Sequence, residues 1–71
     1  DRIVDIATDG QHLSIHRGFL IVSRDREEVG RIALDDIHAV IVHAHGTTWS
    51  ANLVAGLAER GAPIVFCASN H

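Results

Sequence analysis

The stretch of the chain that decides its fold is IHAVIVHAHGTTWSANLVAGLAERGAPIVFC, residues 37–67. It begins with an apolar segment at residues 37–43 and ends with a second one at residues 64–67. A helix is predicted between them over residues 51–60, with short loops on either side. This order predicts a βαβ unit, in which the two strands are parallel and the crossover is right-handed.

The ends of the predicted helix carry residues that usually cap helices. Ser50 stands at the N-cap position, Gly61 suits the left-handed C′ position, and Pro63 prevents the helix from continuing. Gly56 costs about 1 kcal/mol against alanine inside a helix, so we expect it to mark a close approach to a strand or another chain. The helix is expected to pack on the sheet through an apolar stripe of Leu53, Val54, Leu57 and Ala58.

The residues before this unit predict four short strands separated by tight turns. Alternation is clearest at residues 11–16, where Leu13 and Ile15 face one way. Arg17-Gly18 has the length and chemistry of a two-residue hairpin loop. We therefore predict an α+β fold, mainly β, with an antiparallel four-strand meander followed by one βαβ unit with a single helix. The four strands are expected at residues 2–6, 11–16, 19–23 and 29–33.

Two of the predicted strands are apolar on both faces, at residues 19–22 and 39–42. One helix and a four-strand meander are too few elements to cover both faces of both strands. A chain this short also buries only about 60% of the surface that its unfolded form exposes. Some apolar sheet surface is therefore expected to dock on another protein surface, and self-association is the simplest outcome.

Composition indicates one small domain of a reducing compartment. The 71 residues allow a single domain, and the single cysteine, Cys67, rules out an internal disulfide. The net charge is −3 and lysine is absent, so no strong electrostatic footprint for nucleic acid is expected. No apolar run exceeds five residues, far short of the ~20 of a membrane helix, so a cytoplasmic protein is predicted. Because the chain has no methionine, we interpret it as a fragment.

Four residues form a hypothetical zinc site at one edge of the βαβ unit. His43 and His45 stand two apart at the end of one strand, and Cys67 and His71 follow the second strand. The carboxyl ends of parallel strands share an edge, and Cys and His are suitable zinc ligands. Their spacing, however, matches no established zinc pattern. The alternative is that the histidines are ordinary surface residues and Cys67 is a small buried hydrophobe.

Other polar residues have simple structural explanations. His12 and His16 are expected on the solvated face of the second strand, with a hydrogen bond or a DNA phosphate contact as the alternative. Asp35-Asp36 predicts a turn at a strand start, because adjacent carboxylates on a strand point to opposite faces. Arginines cluster on the predicted meander and suit phosphate, although no single one is assigned that role. They are Arg2, Arg17, Arg24, Arg26 and Arg31.

Five segments of the chain together carry a family resemblance. They are RIVDI at residues 2–6, GQHLSIHRGFL at 10–20, LDDIHAVIV at 34–42, LAERGAPIVFC at 57–67 and NH at 70–71. In this order they resemble the CRISPR-associated spacer-acquisition integrases. The closing pattern is most similar to versions found with the single-effector, type II systems.

The resemblance implies a metal-dependent DNA endonuclease and integrase that inserts new spacers into CRISPR arrays for antiviral defence. In this family a small β-rich N-terminal domain precedes a helical domain, whose glutamate, histidine and further acidic residue hold Mg²⁺ or Mn²⁺. Paired homodimers are bridged by a small ferredoxin-like partner protein. Residues 1–71 would be the N-terminal assembly domain, and no catalytic, cofactor-binding or metal-binding residue is carried over to them. Two alternatives stay open: a stand-alone protein-interaction module, or a small zinc-binding domain that uses His43, His45, Cys67 and His71.

Overall fold

The computed structural model describes residues 2–67, which form seven strands and one α-helix. This composition confirms the α+β, mainly β fold class. A 3₁₀ turn, Leu34–Asp36, precedes the fifth strand, as expected for Asp35-Asp36. The elements are β1 Arg2–Ile6, β2 Gln11–His16, β3 Phe19–Arg24, β4 Glu27–Ala33, β5 Ile37–Val42, β6 Thr48–Trp49, α1 Ala51–Glu59 and β7 Ile64–Phe66.

A small parallel sheet is built around the predicted βαβ unit. Strands β5 and β7 are parallel neighbours, with Val40 opposite Ile64 and Val42 opposite Phe66, and α1 connects them. The prediction of a βαβ unit is therefore confirmed. Strand β1 pairs with the other side of β5, also in parallel, so the order of this small sheet is β1-β5-β7.

The position of β1 corrects one part of the predicted topology. It does not lie in the meander, because its hydrogen-bond partner is β5, where Val4 stands opposite Val40. The antiparallel pairs β2–β3 and β3–β4 form the rest of the meander as predicted. The place beside β2 that was predicted for β1 is taken by β6, a two-residue parallel strand where the sequence predicted a loop. The large sheet therefore has the order β4-β3-β2-β6.

The core lies between the inner faces of the two sheets and the helix. Both sheets contribute side chains that are almost fully buried, such as Leu13 on β2 and Val40 on β5. Burial of apolar surface at about 25 cal/mol per Å² is the main stabilising term for such a core. The buried apolar residues are Val4, Ile6, Leu13, Leu20, Val22, Leu34, Ile37, Val40, Val42, Leu53, Leu57 and Ala62.

The helix contacts the core through a narrower face than the predicted stripe. Leu53, Gly56 and Leu57 are buried, whereas Val54 and Ala58 are exposed. Leu53, Gly56 and Leu57 lie three and four residues apart and therefore share one face of the helix. Val54 is rotated about 100° from Leu53, and Ala58 about 100° from Leu57, beyond this face. The helix therefore makes one line of contact, and Val54 is 40% exposed.

The predicted helix ends are correct in position, although not in every contact. Ser50 occupies the N-cap with extended backbone, but its side chain makes no capping hydrogen bond. Instead, the Leu53 amide donates to the Ser50 carbonyl oxygen at 3.1 Å. Gly61 has a φ of +70°, the left-handed conformation predicted for the residue after the helix.

Gly56 brings the helix close to β2, as the sequence predicted. A Cβ atom at this position would lie 2.6 Å from the Cδ1 atom of Ile15. That methyl group is the end of a flexible side chain, so an added Cβ displaces it without moving the backbone.

We expect Gly56→Ala alone to change the free energy of unfolding by less than about 1 kcal/mol, because the cost of displacing the Ile15 methyl group offsets the gain in helix propensity. Ile15→Val alone removes the methyl group and costs about 1 kcal/mol. In the double variant Gly56→Ala/Ile15→Val the added methyl fills the vacated space, so the two effects partly cancel. Urea unfolding of the four proteins measures this coupling, and strictly additive free energies would contradict the contact.

Candidate functional site

The hypothetical zinc site is not formed among residues 2–67. The Nε2 atom of His43 lies 2.9 Å from the Oδ1 atom of Asp5, and the backbone amide of His45 donates to Asp9 Oδ1 at 2.9 Å. Cys67 is exposed, which corrects its expected burial. Among residues 2–67 no three His, Cys, Asp or Glu side chains stand close enough to hold a metal ion. The Cys67 amide donates to the Val42 carbonyl oxygen at 2.8 Å, which brings Cys67 to the edge where His43 lies, but His43, His45 and Cys67 do not form a metal-binding group. His71 lies outside the described residues.

The contacts of these histidines connect the two loops that follow β1 and β5. The amide of His43 donates to the Ile6 carbonyl oxygen at 2.8 Å, and the amide of Gly10 donates to the His45 carbonyl oxygen at 3.0 Å. The carboxylates of Asp5 and Asp9 add side-chain contacts to the same loops. Sequence analysis missed both aspartates, because each lies more than 35 residues from its histidine.

The outer face of the small sheet is mainly apolar and uncovered in the described chain, with Asp5 of β1 opposite Ile41 of β5 as its polar member. Ile3 on β1 is 58% exposed and Val65 on β7 is 45% exposed, with half-buried Ala39 and Ile41 of β5 between them. Parallel sheets are almost always covered on both faces. The expectation that apolar sheet surface is left over is thus confirmed for the strand at residues 39–42. We call Ile3, Ala39, Ile41 and Val65 the apolar face.

A pair of aromatic rings closes one edge of the core. Trp49 of β6 and Phe66 of β7 have ring centroids 4.7 Å apart and planes tilted by 39°. Trp49 is 42% exposed and Phe66 is 49% exposed. The pair joins the edge strands of the two sheets, so its first role is to hold these edges together.

The outer face of the large sheet is mainly polar, and its strand register arranges its side chains in rows. His16, Phe19 and Ala33 form one row across β2, β3 and β4, and Ser14, Ile21 and Arg31 form the next. His12 and His16 are exposed, as predicted, and His12 Nδ1 lies 2.6 Å from Thr48 Oγ1. We call these rows the polar face, represented by His12, Ser14, His16, Phe19, Ile21 and Arg31.

Arg31 is held on the polar face by two neighbours. Its Nε and Nη2 atoms each donate to Glu28 at 2.8 Å, and its guanidinium lies 5.2 Å from the centre of the Phe19 ring. The hydrogen bond from Arg31 lowers the pKa of the Glu28 carboxyl, and the same contact raises the pKa of Arg31. Because the Glu28 pKa is lowered on folding, the pair contributes to folding stability at neutral pH. This contribution is lost as the pH falls through the lowered pKa.

The arginines predicted to cluster are distributed over the large sheet, apart from Arg2. Arg17 lies in the β2–β3 turn, whereas Arg24 and Arg26 lie at the β3–β4 turn at the other end of β3. Residues 11–33 carry four arginines and three acidic residues, whereas the rest of the sequence carries two arginines and six acidic residues. The negative net charge therefore lies outside the large sheet.

Together these features define a small β-rich domain with two sheet faces that no described element covers. Residues 4–71 match the family model described as CRISPR associated protein Cas1. The chain belongs to this family, which confirms the resemblance noted from the sequence.

Solved structures show the same fold. Chains in the structures titled "Partial Cas6-RT-Cas1--Cas2 complex" and "Cas6-RT-Cas1--Cas2 complex" are 25% identical to this chain, with TM-scores of 0.83 and 0.82. Both matches cover 93% of this chain, but only 20% and 7% of those chains. A chain in "Crystal structure of TtCas1-DNA complex" is 14% identical with a TM-score of 0.67, covers 87% of this chain and 23% of that one, and shows the fold alone.

Two further observations concern the chain. A search of curated proteins finds no match to it. Within residues 2–67, no helix has both the length and the apolar character that crossing a membrane requires.

Proposed function

We propose that the chain is the N-terminal assembly domain of a metal-dependent DNA endonuclease and integrase that inserts new spacers into CRISPR arrays. Family membership supports the class of protein, and the apolar face supports the assembly role. The apolar face is the single observation that carries the role, because a parallel sheet with one uncovered face needs a partner surface.

The partner that we propose for the apolar face is a second copy of the chain. A two-fold symmetric contact places the same patch on both subunits, so an apolar patch meets an apolar patch without a second, complementary surface. The polar groups at its margin, Asp5 and His43, already contact each other at 2.9 Å. The Asp5 carboxylate therefore has a hydrogen-bond partner within the chain when the apolar face is covered.

We also propose the partners and the location that the family implies. The titles of the matched structures name Cas2 in two cases and DNA in the third, each for the protein concerned. For this chain we propose a small ferredoxin-like Cas2 partner, CRISPR DNA as substrate, and a cytoplasmic location. The finer assignment to type II systems rests on the resemblance of residues 57–67 and stays a prediction.

Residues 2–67 do not fit the metal that the family implies, since no three suitable side chains stand together. No catalytic step is therefore assigned to them. We propose that the Mg²⁺ or Mn²⁺ site belongs to a helical domain of the whole protein, outside residues 1–71. We also propose that residues 1–71 hold no catalytic residue, because the glutamate, histidine and further acidic ligands of the family have no matching positions among them.

Integration assays test this proposal. The protein as its gene encodes it is expected to join a short DNA duplex to a CRISPR array in the presence of its Cas2 partner and Mg²⁺ or Mn²⁺. Residues 1–71 alone are expected to give no cleaved or joined product under the same conditions, and EDTA is the control for both. Nuclease activity of residues 1–71 would contradict the assembly role. If the protein as its gene encodes it gives no joined product, the proposed integrase activity is contradicted.

A further inference from the structure

We infer that Asp5 and His43 make assembly through the apolar face depend on pH, with the dimer favoured when His43 is protonated. The inference rests on the proposed function, because it concerns the surface through which two copies of the chain are proposed to meet. It goes further by naming the two side chains that regulate this contact and the direction in which they act.

The first argument is the position of the pair. Asp5 stands opposite Ile41 in the register of β1 and β5, and His43 follows Ile41 by two residues. Alternate residues of a strand share a face, so both side chains lie on the outer face of the small sheet, at its carboxyl end. Their contact, with His43 Nε2 2.9 Å from Asp5 Oδ1, fits this placement. A second copy that covers the apolar face therefore also approaches the pair.

The second argument is the exposure of the pair. In the single chain the Asp5 side chain is 62% exposed and the His43 side chain is 48% exposed. Water therefore solvates the pair before assembly, whichever charge it carries. Covering the face removes part of this water, and taking a charge out of water without an opposite charge is costly. The net charge of the pair consequently matters more in the dimer than in the single chain.

The net charge of the pair sets the direction of the effect. With neutral His43 the pair carries the negative charge of Asp5, and a two-fold contact brings two such charges to one interface. With protonated His43 the pair is neutral overall and forms a charge-assisted hydrogen bond. The dimer therefore takes up protons that the single chains do not hold, so it is strengthened as the pH falls. Histidine side chains change charge between pH 5 and 8, and the gain is lost as the pH rises through that range.

The neighbouring groups at this end of the sheet do not compensate the charge of Asp5. Asp9, in the loop after β1, accepts a hydrogen bond from the His45 amide at 2.9 Å and adds a second negative charge. Cys67 lies at the same edge after β7, and an ordinary thiol is uncharged at neutral pH. Beneath the pair lies the core, in which no described polar or charged residue is buried.

The other ionisable residues on the strands of the small sheet are Arg2 and His38, near its opposite end. Arg2 lies three residues before Asp5, roughly 10 Å along β1, where physiological salt screens most of its charge. His38 lies five residues before His43, roughly 16 Å along β5. His43 is therefore the group whose protonation offsets the Asp5 charge directly.

Sedimentation velocity with fluorescence detection, over a wide range of concentrations, tests the inference on the protein as its gene encodes it. From about pH 7.5 to about pH 5.5 at constant salt, the dimer dissociation constant is expected to fall roughly tenfold to hundredfold, about tenfold for each pair. His43→Gln keeps a hydrogen-bond donor toward Asp5 but takes up no proton, so this fall is expected to vanish. His38→Gln makes the same change near the other end of β5 and is the matched control, with the fall expected to remain.

Asp5→Asn tests the direction of the effect. In this variant the pair is uncharged when His43 is neutral and carries one positive charge when His43 is protonated. Its dimer is therefore expected to weaken as the pH falls, the reverse of the unaltered protein. A merely structural role of Asp5 would change the dissociation constant without reversing its pH dependence.

The outcomes separate this inference from the proposed function. A fall in the dissociation constant that vanishes in His43→Gln and reverses in Asp5→Asn supports the inference. If the unaltered protein dimerises equally well at both pH values, or if His43→Gln shows the same fall, the role of the pair is overturned and the dimer stands. A protein that is monomeric at every concentration and at both pH values overturns the assembly role as well.

Discussion

Replacing Leu53 with alanine is expected to lower the free energy of unfolding by about 2–5 kcal/mol, which is most or all of the stability of a domain this small. Leu53 is 0% exposed and lies where α1 meets the inner faces of both sheets. Its removal loses the apolar contacts and leaves a cavity that the surrounding strands only partly fill. Far-UV circular dichroism during urea unfolding measures the change.

The neighbouring residue is a close control for this experiment. Val54→Ala changes a side chain that is 40% exposed on the same helix, one position further along. Its cost is expected to stay near 0.5 kcal/mol, because little buried surface is lost. Since the sequence pattern alone places both residues on one stripe, equal effects of the two substitutions would contradict the helix orientation seen in the structure.

The second large effect is expected on assembly. Ile3→Glu combined with Val65→Glu places two charges on the apolar face and is expected to weaken the homodimer at least hundredfold. Each side chain appears twice in a two-fold interface, and burying apolar side chains contributes about 1.5–3 kcal/mol apiece. The carboxylates also require desolvation without a positive partner. Sedimentation velocity over a range of concentrations measures the dissociation constant.

Val54→Glu is the matched control for the assembly experiment. Val54 is 40% exposed, close to the 45% of Val65, but it lies on α1, which packs with Val40 and Val42 on the opposite face of the small sheet. Its substitution is expected to leave the dimer intact. Both proteins should keep the circular dichroism spectrum of the unaltered chain, because both positions are solvent-exposed. A dimer that survives the double substitution, or a chain that is monomeric at every concentration before substitution, contradicts the proposed role of the apolar face.

The candidate surfaces were only partly accessible to sequence analysis. The apolar run at residues 39–42 predicted a sheet surface that the chain leaves uncovered, and alternation placed His12 and His16 on the solvated side of β2. The sequence pattern did not show that Ile3 and Val65 share a sheet face with Ile41, since β1 and β7 come from opposite ends of the sequence. The hypothetical zinc site is not formed among residues 2–67. A shared sheet edge brings strand ends together, but His43 and His45 contact aspartates instead of Cys67.

The sequence by itself determined the type and order of nearly every element, the helix with its ends, the βαβ unit and the family. These properties depend on local patterns: apolar periodicity, caps, turn residues and short motifs act within a few residues of the chain. Only the tertiary structure decided that β1 pairs with β5 and that β6 takes the place beside β2. Every strand offers the same backbone N–H and C=O groups, so the choice of neighbour comes from the joint packing of all the side chains in the core.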